Sequence, residues 1–392
     1  MDYSNVLSRS VTSLQPSGIR KFFELLEQLP DAISLSIGEP DFQTPWHIRD
    51  AGVYSLEKGW TKYSANAGFL SLRKELSEYL KRRFDLGYDP AAEILVTVGG
   101  SEAIDLGIRA LVNPGDEVII VSPSFVCYEP LTIMAGGVPV RVVTKAENEF
   151  RLTGAELRAV LTPKTKLLIL PYPCNPTGAV MRRIDLAEIE ATLRGTDVMI
   201  LSDEIYAELT YGTERHTSPA NIPGLKERTI VVNGFSKCYS MTGWRLGYAC
   251  AHKDIISQMT KLHQFAVMCA PTASQYAAIE ALKEGDSDIA RMRASYDKRR
   301  IRLRDGLHAL GIDCFDAKGA FYLFPYIGKF GLTSDEFCER FLMEEGVAII
   351  SGTAFGAGGE GFARMCYAAS EADISEALAR LGRFTSRLAA EL

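Results

Sequence analysis

Short runs of apolar residues alternate with longer helical patterns along most of the chain. Most of the runs are rich in Val, Ile and Leu, and they are bounded by residues that favour turns, such as Gly, Pro, Asn and Asp. Continuous apolar runs are typical of strands that are buried on both faces of a parallel sheet. Seven runs predict such strands, at 93–98, 117–122, 139–144, 166–171, 198–203, 229–234 and 246–251. The pattern therefore predicts an α/β fold with a large, mostly parallel sheet of seven strands.

The pattern changes near residue 287, after which a long charged helical stretch runs from 288 to 310. Beyond it, short apolar runs predict a smaller α+β domain with strands within 319–327, 347–352 and 362–369. At the other end of the chain, residues 17–29 have the pattern of one amphipathic helix. We therefore expect an N-terminal arm that joins the small domain (1–45), a large domain (46–287) and a small C-terminal domain (288–392).

Composition and charge narrow the class of protein. Of the 392 residues, 47% are hydrophobic and 23% are charged, which is typical of globular enzymes. The net charge of −6, without a basic stripe, argues against a nucleic-acid or anionic-membrane surface. We find no signal-peptide pattern and no apolar run of the roughly 18 residues that a membrane span needs. The cysteines and histidines form no C-x-x-C pair or ligand cluster, so we expect reduced thiols, a cytoplasmic location and no metal.

Polar residues follow the ends of several of the predicted strands. In chain order they are Gly100, Ser101 and Glu102, then Asn175, then Asp203 and Tyr206, then Ser236 and Lys237, and finally Arg245. Because the carboxyl ends of parallel strands face one crevice, we expect these residues to lie close together. Each of them alone is more simply explained as part of a turn, a helix cap or the packing.

Taken together, these residues suit one kind of ligand. A glycine turn at a helix N-terminus presents backbone N–H groups to an anion such as phosphate, and Ser236 and Arg245 would add to that site. The other side chains supply a carboxylate, a phenol, an amide and an amine. A lysine held among apolar residues, as Lys237 is here, has a lowered pKa, which Schiff-base chemistry requires. The combination indicates a phosphorylated aldehyde that carries a pyridine ring.

The chain resembles the class I and II aminotransferases of fold type I, which depend on pyridoxal 5'-phosphate (PLP). The resemblance covers nearly the whole length, and its most specific stretches are "YPCNPTGAV" (172–180), "SDEIYAEL" (202–209) and "GFSKCYSMTGWRLGY" (234–248). A finer resemblance, to bacterial aromatic and N-acetyl-LL-2,6-diaminopimelate aminotransferases, rests on "SGIRKF" near the start and on "SKCYSMTGWR". It implies a transferase that moves an amino group from an L-amino acid to a 2-oxo acid such as 2-oxoglutarate.

The resemblance also implies roles for individual residues around PLP. Lys237 would form a Schiff base with the cofactor and later, as a free amine, move the proton. Asp203 would pair with the protonated pyridine nitrogen, an attraction of roughly 4 kcal/mol at about 4 Å and an effective dielectric of about 20. Tyr206 and Asn175 would hydrogen-bond the phenolic oxygen of the ring. Phe125 would stack on the ring, at a position where many relatives have tyrosine or tryptophan.

The same resemblance implies the phosphate and carboxylate sites. The phosphate would be held by Gly100, Ser101, Glu102, Ser236 and Arg245. Tyr63 would reach it from the neighbouring subunit, so a homodimer with shared active sites is expected. The α-carboxylate of the substrate would meet Arg364 through a two-pronged guanidinium contact, completed by Asn175 and the backbone of Gly38.

Two alternatives share parts of this pattern. A PLP-dependent β C–S lyase of the same fold has the same cofactor shell, so the motifs leave that activity open. A PLP-binding transcription regulator would need a DNA-binding module, and "LSIGEPDF" begins at residue 35, which leaves no room for one in front.

The sequence leaves the substrate largely undetermined. We expect Ile19, Phe22 and Phe23 to lie in an arm that closes over the pocket, which would favour aromatic or extended aliphatic side chains. Arg20 could contact a distal carboxylate or simply be solvated. The Asn175–Pro176 bond could be cis or trans.

Overall fold

The computed structural model describes residues 3, 6–16, 18, 29, 31–213 and 215–391. The arm residues Ile19, Arg20, Phe22 and Phe23, and with them most of the predicted amphipathic helix, lie outside the described residues. The hypothesis that this arm shapes the pocket therefore stays a prediction.

The strands fall into one large sheet and two small ones. Their bounds are β1 Ile33–Ser34, β2 Ile94–Thr97, β3 Glu117–Ser122, β4 Val138–Val143, β5 Thr165–Leu170, β6 Met199–Asp203, β7 Thr229–Gly234, β8 Gly247–Cys250, β9 Tyr322–Leu323, β10 Val347–Ala348, β11 Ile350–Ser351 and β12 Ala363–Cys366. The large sheet has the strand order β2-β8-β7-β6-β5-β3-β4. Each of its seven strands coincides with one of the seven predicted runs.

The large sheet is parallel except at one strand. β3 pairs in parallel with β4 and β5, and β6 pairs in parallel with β5 and β7. β8 is antiparallel to both of its neighbours, β7 and β2. The connection from Gly234 to Gly247 contains no α-helix, and a strand without such a crossover returns antiparallel. The predicted α/β fold with a seven-stranded, mostly parallel sheet is confirmed.

Helices cover both faces of this sheet. Their bounds are α1 Arg9–Thr12, α2 Trp46–Glu57, α3 Leu70–Phe84, α4 Gly99–Leu111, α5 Tyr128–Met134, α6 Gly154–Val160, α7 Arg183–Leu193, α8 Lys253–Ala266, α9 Thr272–Glu284, α10 Asp286–Ala309, α11 Ser334–Glu345 and α12 Glu371–Glu391. Along β2, Leu95 packs with the core under α4 and α8, whereas Ile94 and Val96 pack with the core under α3 and α9. Burial on both faces is the reason why the strands are continuously apolar. Within the part of the chain described, no helix has the length and apolarity to cross a membrane.

The C-terminal part carries two small sheets beyond the long helix α10. β9, β12 and β11 form an antiparallel sheet, in which β12 is the central strand. β1 pairs in parallel with β10, which brings Ile33 beside Val347. Ile33 and Ser34, near the start of the chain, thus pair with a strand of the C-terminal part. The domain boundaries near residues 45 and 287 stay predictions.

Asp203 and Tyr206 are three residues apart in the sequence, a spacing that predicts one turn of helix between them. This prediction is wrong, because β6 is followed by turns, in which Leu209 N donates to the Tyr206 carbonyl at 2.8 Å. The chain then pairs with the C-terminal part, since Thr210 and Gly319 form an antiparallel bridge. This pairing requires extended backbone, so it ends the turns before a helix can form.

Candidate active site

A cavity of about 550 Å³ lies beyond the carboxyl ends of β5, β6 and β7, between them and strands β9 and β12. The predicted site residues that line it are Gly38, Gly100, Ser101, Phe125, Asn175, Asp203, Tyr206, Ser236, Lys237, Arg245 and Arg364. Of the predicted set, Glu102 and Tyr63 do not line it. The structure thus brings strand-end residues from distant parts of the chain around one cavity.

Lys237 lies three residues beyond the end of β7 and has a perturbed amine. Its Nζ donates a hydrogen bond to the carbonyl oxygen of Gly38 at 2.7 Å. Burial lowers the pKa of Lys237 to about 8, although the carboxylate of Glu39 acts in the opposite direction. With this pKa, about a tenth of the amine is neutral at pH 7, and the neutral amine is the nucleophilic form.

Asp203 is the last residue of β6 and is almost fully buried. Its Oδ2 accepts a hydrogen bond from the hydroxyl of Tyr128 at 2.7 Å, and its Oδ1 accepts one from the Ile205 N–H at 3.2 Å. Burial raises the pKa of Asp203, and these two hydrogen bonds oppose that rise. Among the described residues, no lysine or arginine forms an ion pair with this carboxylate, so it is available to a cationic ligand.

Two buried phenols meet at the wall of the cavity. The hydroxyls of Tyr206 and Tyr322 are 2.8 Å apart, and burial raises the pKa of both, so both stay protonated. The backbone at Gly38 passes directly over Tyr322, since a Cβ atom there would lie 2.6 Å from the Tyr322 hydroxyl oxygen. A glycine is therefore needed for the segment at residue 38 to close this side of the cavity.

Arg364 is a buried cation in β12, with 2% of its surface exposed. Its Nη1 donates to Asn175 Oδ1 at 2.9 Å and its Nη2 to the Ser36 carbonyl at 2.6 Å, while its Nε has no partner among the described residues. The guanidinium lies 4.5 Å from the ring centroid of Tyr322 and 4.8 Å from that of Phe355. In the described chain it forms no ion pair with a carboxylate. A buried guanidinium without an anion indicates an anionic ligand.

The amide of Asn175 thus faces the cavity beside this guanidinium. The Asn175–Pro176 bond, which the sequence left open, is cis.

The first turn of α4 and Arg245 form a second cationic region. α4 begins at Gly99, directly after β2, with a positive φ of +78°. A Cβ atom at Gly99 would lie 2.7 Å from Arg245 Nη2, so the guanidinium rests against this turn. Arg245 Nη1 donates to the Thr242 carbonyl at 2.9 Å. Ser101 and Ser236 line the cavity beside it, which completes a site suited to a phosphate.

Glu102 and Tyr63 lie elsewhere. The carboxylate of Glu102 accepts a hydrogen bond from the Val98 N–H at 2.5 Å and contacts His263 Nδ1 at 2.9 Å, so this side chain turns away from the cavity. Glu102 can therefore contribute to the phosphate site only through its backbone N–H, while its side chain caps the helix. Tyr63 is 82% exposed and lies outside the cavity of its own chain.

Several cavity residues were not found from the sequence. They are Ile37, Glu39, Ile104, Tyr128, Pro171, Pro173, Ile205, Thr242 and Tyr322. Tyr128 and Tyr322 lie within stretches that resemble the family, "SPSFVCYEP" and "GAFYLFP", but no spacing rule singled them out. Their hydroxyls matter only because they meet Asp203 and Tyr206 in space.

The geometry fits the parts of PLP. The turn at Gly99 leaves room for no side chain and is backed by Arg245, as a phosphate cradle requires. Asp203, a buried carboxylate without a cation among the described residues, suits a protonated ring nitrogen. Lys237, with its lowered pKa, suits an aldehyde. Asn175 and Tyr206 supply hydrogen bonds for the ring oxygen.

Comparisons with known proteins agree with this chemistry. A family model described as "Aminotransferase class I and II" matches residues 30–381. An aspartate aminotransferase of Pyrococcus abyssi is 44% identical over 96% of this chain and 97% of its own. A Bacillus subtilis protein, assigned provisionally as an N-acetyl-LL-diaminopimelate aminotransferase, is 43% identical over 97% of this chain and 96% of its own. The crystal structure of an aromatic aminotransferase from Pyrococcus horikoshii superposes with a TM-score of 0.89, at 44% identity, over 93% of this chain and 99% of that one.

These similarities extend over nearly the full length of the chain and of its relatives. Three different substrates are named at almost the same identity, so similarity establishes the reaction class but not the substrate. The chain belongs to the class I and II aminotransferases and is a PLP-dependent enzyme that transfers amino groups.

Proposed function

We propose that this enzyme moves the amino group of an L-amino acid with an aromatic or extended side chain to a 2-oxo acid such as 2-oxoglutarate, with PLP attached to Lys237. Donors like N-acetyl-LL-2,6-diaminopimelate belong to the same class of extended side chains. The observation that carries the proposal is that one cavity holds both an amine of lowered pKa and a buried guanidinium, that of Arg364, without a carboxylate partner in the described chain.

Lys237 has two tasks in this proposal. PLP supplies an electrophilic aldehyde and a ring that withdraws electrons. Lys237 Nζ would hold the aldehyde carbon until the amine of the substrate replaces it. The freed Nζ would then act as the base that accepts the proton from the substrate Cα, for which a pKa of about 8 is well matched to neutral pH.

The neighbouring residues would bind and orient. Asp203 would face the ring nitrogen and keep it protonated through its negative charge. Tyr206 and Asn175 would donate hydrogen bonds to the phenolic oxygen, and Phe125 would cover one face of the ring. The phosphate would be held by the backbone of Gly100, Ser101 and Glu102 together with Ser236 and Arg245. Gly38, Asn175 and Arg364 would bind the α-carboxylate.

The charges around the cavity support a donor with an uncharged side chain. The lysine and arginine residues that line it are, within the described chain, Lys237, Arg245 and Arg364. Lys237 would take part in the reaction, Arg245 would bind the phosphate and Arg364 would bind the α-carboxylate. Glu39 adds a negative charge beside Lys237. A second carboxylate, such as that of the aspartate side chain, would therefore lose its hydration in the cavity without gaining a cation as partner.

The test of the proposed substrate class is a panel of amino donors. We expect kcat/KM for phenylalanine or tyrosine to exceed that for aspartate by about tenfold or more, because a desolvated carboxylate costs at least as much as one lost hydrogen bond. The half-reaction is followed by the visible spectrum of the bound cofactor, and 2-oxoglutarate should restore that spectrum. A preference for aspartate would show that the side-chain class is wrong.

The β C–S lyase alternative is not favoured, because the similar proteins are named as aminotransferases. The same panel tests it. Accumulation of pyruvate and ammonia from a cysteine-like substrate, with no conversion by 2-oxoglutarate, would support the lyase.

We also propose a homodimer in which Tyr63 reaches the phosphate site of the partner. Large apolar side chains close to Tyr63 or to the segment that its loop contacts are exposed: Trp60 is 44% exposed and Phe265, in the last turn of α8, is 86% exposed. Asn66 Nδ2 donates to the Met268 carbonyl at 2.9 Å, which joins the loop of Tyr63 to the segment after α8. Exposed apolar surface of this extent is typical of a protein interface.

Mixed dimers test this arrangement. In a dimer of one Lys237→Ala chain and one Tyr63→Ala chain, one site would have its own Lys237 and the partner chain's intact tyrosine at position 63. We expect such hybrids to show one high-affinity PLP site per dimer and about half of the wild-type activity. If Tyr63 serves its own chain, no site in the hybrid is complete. Only one of its two sites then keeps Lys237, so activity falls to about half that of the Tyr63→Ala enzyme.

A further inference from the structure

A tyrosine that the proposed function does not use lies against the buried carboxylate at the cavity. Tyr128 is the first residue of α5 and is 1% exposed, and its hydroxyl donates to Asp203 Oδ2 at 2.7 Å. We propose that Tyr128 is a positioning residue that keeps Asp203 ionised and oriented, so that Asp203 can pair with the ring nitrogen of the cofactor. This inference rests on the role of Asp203 in the proposed function.

The hydrogen bonds fix both oxygens of the carboxylate. Oδ1 accepts from the Ile205 N–H at 3.2 Å, and Oδ2 accepts from Tyr128. The backbone bond is the longer of the two, and the hydroxyl bond is short, as expected for a donor to an ionised acceptor. With both oxygens held, the plane of the carboxylate is defined and its remaining lone pairs are free for a ligand.

Burial works against the ionised form of Asp203. It raises the pKa of this carboxyl group, and the Tyr128 hydroxyl and the Ile205 N–H lower it again. Burial and the neighbouring Asp203 charge raise the pKa of Tyr128 well above its usual value, so its hydroxyl stays a donor. Without this hydroxyl, one long backbone hydrogen bond and the weaker effect of the Lys237 charge would have to stabilise the carboxylate, so its pKa would rise and the protonated acid would be favoured.

A second buried tyrosine–carboxylate pair shows what is special about this one. The hydroxyl of Tyr79 donates to Glu208 Oε1 at 2.7 Å, a bond of the same length between residues of similar burial. Glu208 is also paired with Arg83, whose Nε donates to it at 2.7 Å, so its charge is already neutralised. Asp203 has the tyrosine but, in the described chain, no such arginine. The missing cation is what the ring nitrogen would supply.

The Tyr128→Phe substitution tests the contribution of the hydroxyl alone, because it removes only that group. The ring of Tyr128 packs edge-on against Phe125, with centroids 6.1 Å apart at 81°, and phenylalanine would keep this contact. The packing of the residue that covers the cofactor ring is thus retained. Tyr79→Phe removes the same group from the matched pair outside the cavity.

The experiment compares purified Tyr128→Phe, Tyr79→Phe and Asp203→Asn enzymes with the wild type. We measure the dissociation constant of PLP, the proton resonance of the ring nitrogen in the bound cofactor, and kcat and KM separately. Tyr128→Phe should weaken PLP binding by about tenfold, the effect of one hydrogen bond to a charged group. It should weaken or shift the ring-nitrogen proton resonance, and lower kcat with little change in the KM of the amino donor. Tyr79→Phe should match the wild type in all of these readouts, even if its melting temperature falls.

The outcomes separate the inference from the function on which it rests. If Asp203→Asn loses the ring-nitrogen resonance while Tyr128→Phe matches the wild type, the inference about Tyr128 is overturned and the role of Asp203 stands. If Asp203→Asn also matches the wild type, the proposed role of Asp203 is itself wrong. An equal loss of PLP affinity in Tyr79→Phe and Tyr128→Phe would show that both hydroxyls act only through stability, which also overturns the inference.

Discussion

Replacing Lys237 with alanine should abolish turnover while PLP still binds. The amine would be both the attachment point and the base, so we expect kcat to fall by at least about ten-thousandfold. The phosphate region at Gly99 and Arg245 does not depend on Lys237, and neither does the carboxylate of Asp203. The variant should therefore keep PLP through gel filtration but lose the visible absorbance of the lysine-bound form. Steady-state assays and absorbance spectra of the same preparation test both expectations.

Lys261→Ala is the matched control, because this lysine is exposed on α8 and its Nζ contacts only Gln258 Oε1, at 2.8 Å, in the described structure. It should keep both turnover and the spectrum.

The pH dependence of PLP uptake offers a further test on the wild-type enzyme. Since the neutral amine attacks the aldehyde and the pKa of Lys237 is about 8, uptake of PLP by the apoenzyme should accelerate up to about pH 8 and then level off. Substantial turnover in Lys237→Ala would mean that another lysine carries the reaction.

Replacing Arg364 with glutamine should remove substrate binding with little loss of stability. Under our proposal this buried guanidinium would pair with the α-carboxylate, so its loss should lower kcat/KM by about a hundredfold or more for every amino donor. Stability has two opposing contributions. The variant loses hydrogen bonds to Asn175 and Ser36, but it also loses a buried charge whose desolvation costs several kcal/mol. We expect these contributions nearly to cancel.

Arg300→Gln is the control for stability. Arg300 is also buried, but its Nε donates to Asp297 at 2.8 Å and its Nη1 is bonded to Asp316. Breaking this pair leaves Asp297 without its arginine, whereas Asp316 keeps Arg304 and Lys318, so we expect a cost of about 1–3 kcal/mol. The melting temperature of Arg364→Gln should thus be close to that of the wild type, and that of Arg300→Gln should be clearly lower. Arg364→Lys keeps the charge without the planar fork and should have an intermediate kcat/KM. Normal kcat/KM in Arg364→Gln would place the α-carboxylate elsewhere.

The helices and strands of the large sheet were predictable because burial on both faces leaves a clear pattern. "EVIIVS" is the whole of β3, and its residues alternate between two cores on opposite faces of the sheet. The antiparallel direction of β8 has no such signature, since its run "LGYACA" reads like the others. Its direction depends on the connection after Gly234, which contains no crossover helix.

The residues that line the cavity could be predicted from the sequence where they lie at the end of a predicted strand. Asp203 ends β6, while Asn175 and Lys237 lie beyond the ends of β5 and β7, and the common direction of these strands brings the three together. Tyr128 and Tyr322 carry no comparable signal. Their importance depends on hydrogen bonds to residues far away in the chain: Tyr128 bonds to Asp203, and Tyr322 bonds to Tyr206.

The sequence by itself determined the layered architecture and the set of polar residues at the strand ends, because these follow from apolar periodicity and from residue types. The reaction class followed from its resemblance to the class I and II aminotransferases. Only the tertiary structure decided that Arg364 is buried beside Asn175 without a carboxylate of its own in the described chain, and that Asp203 is held by a hydroxyl rather than by a cation. The reason is physical. Burial and pairing set the free energy of a charge, and both depend on side chains that the fold brings together from remote segments.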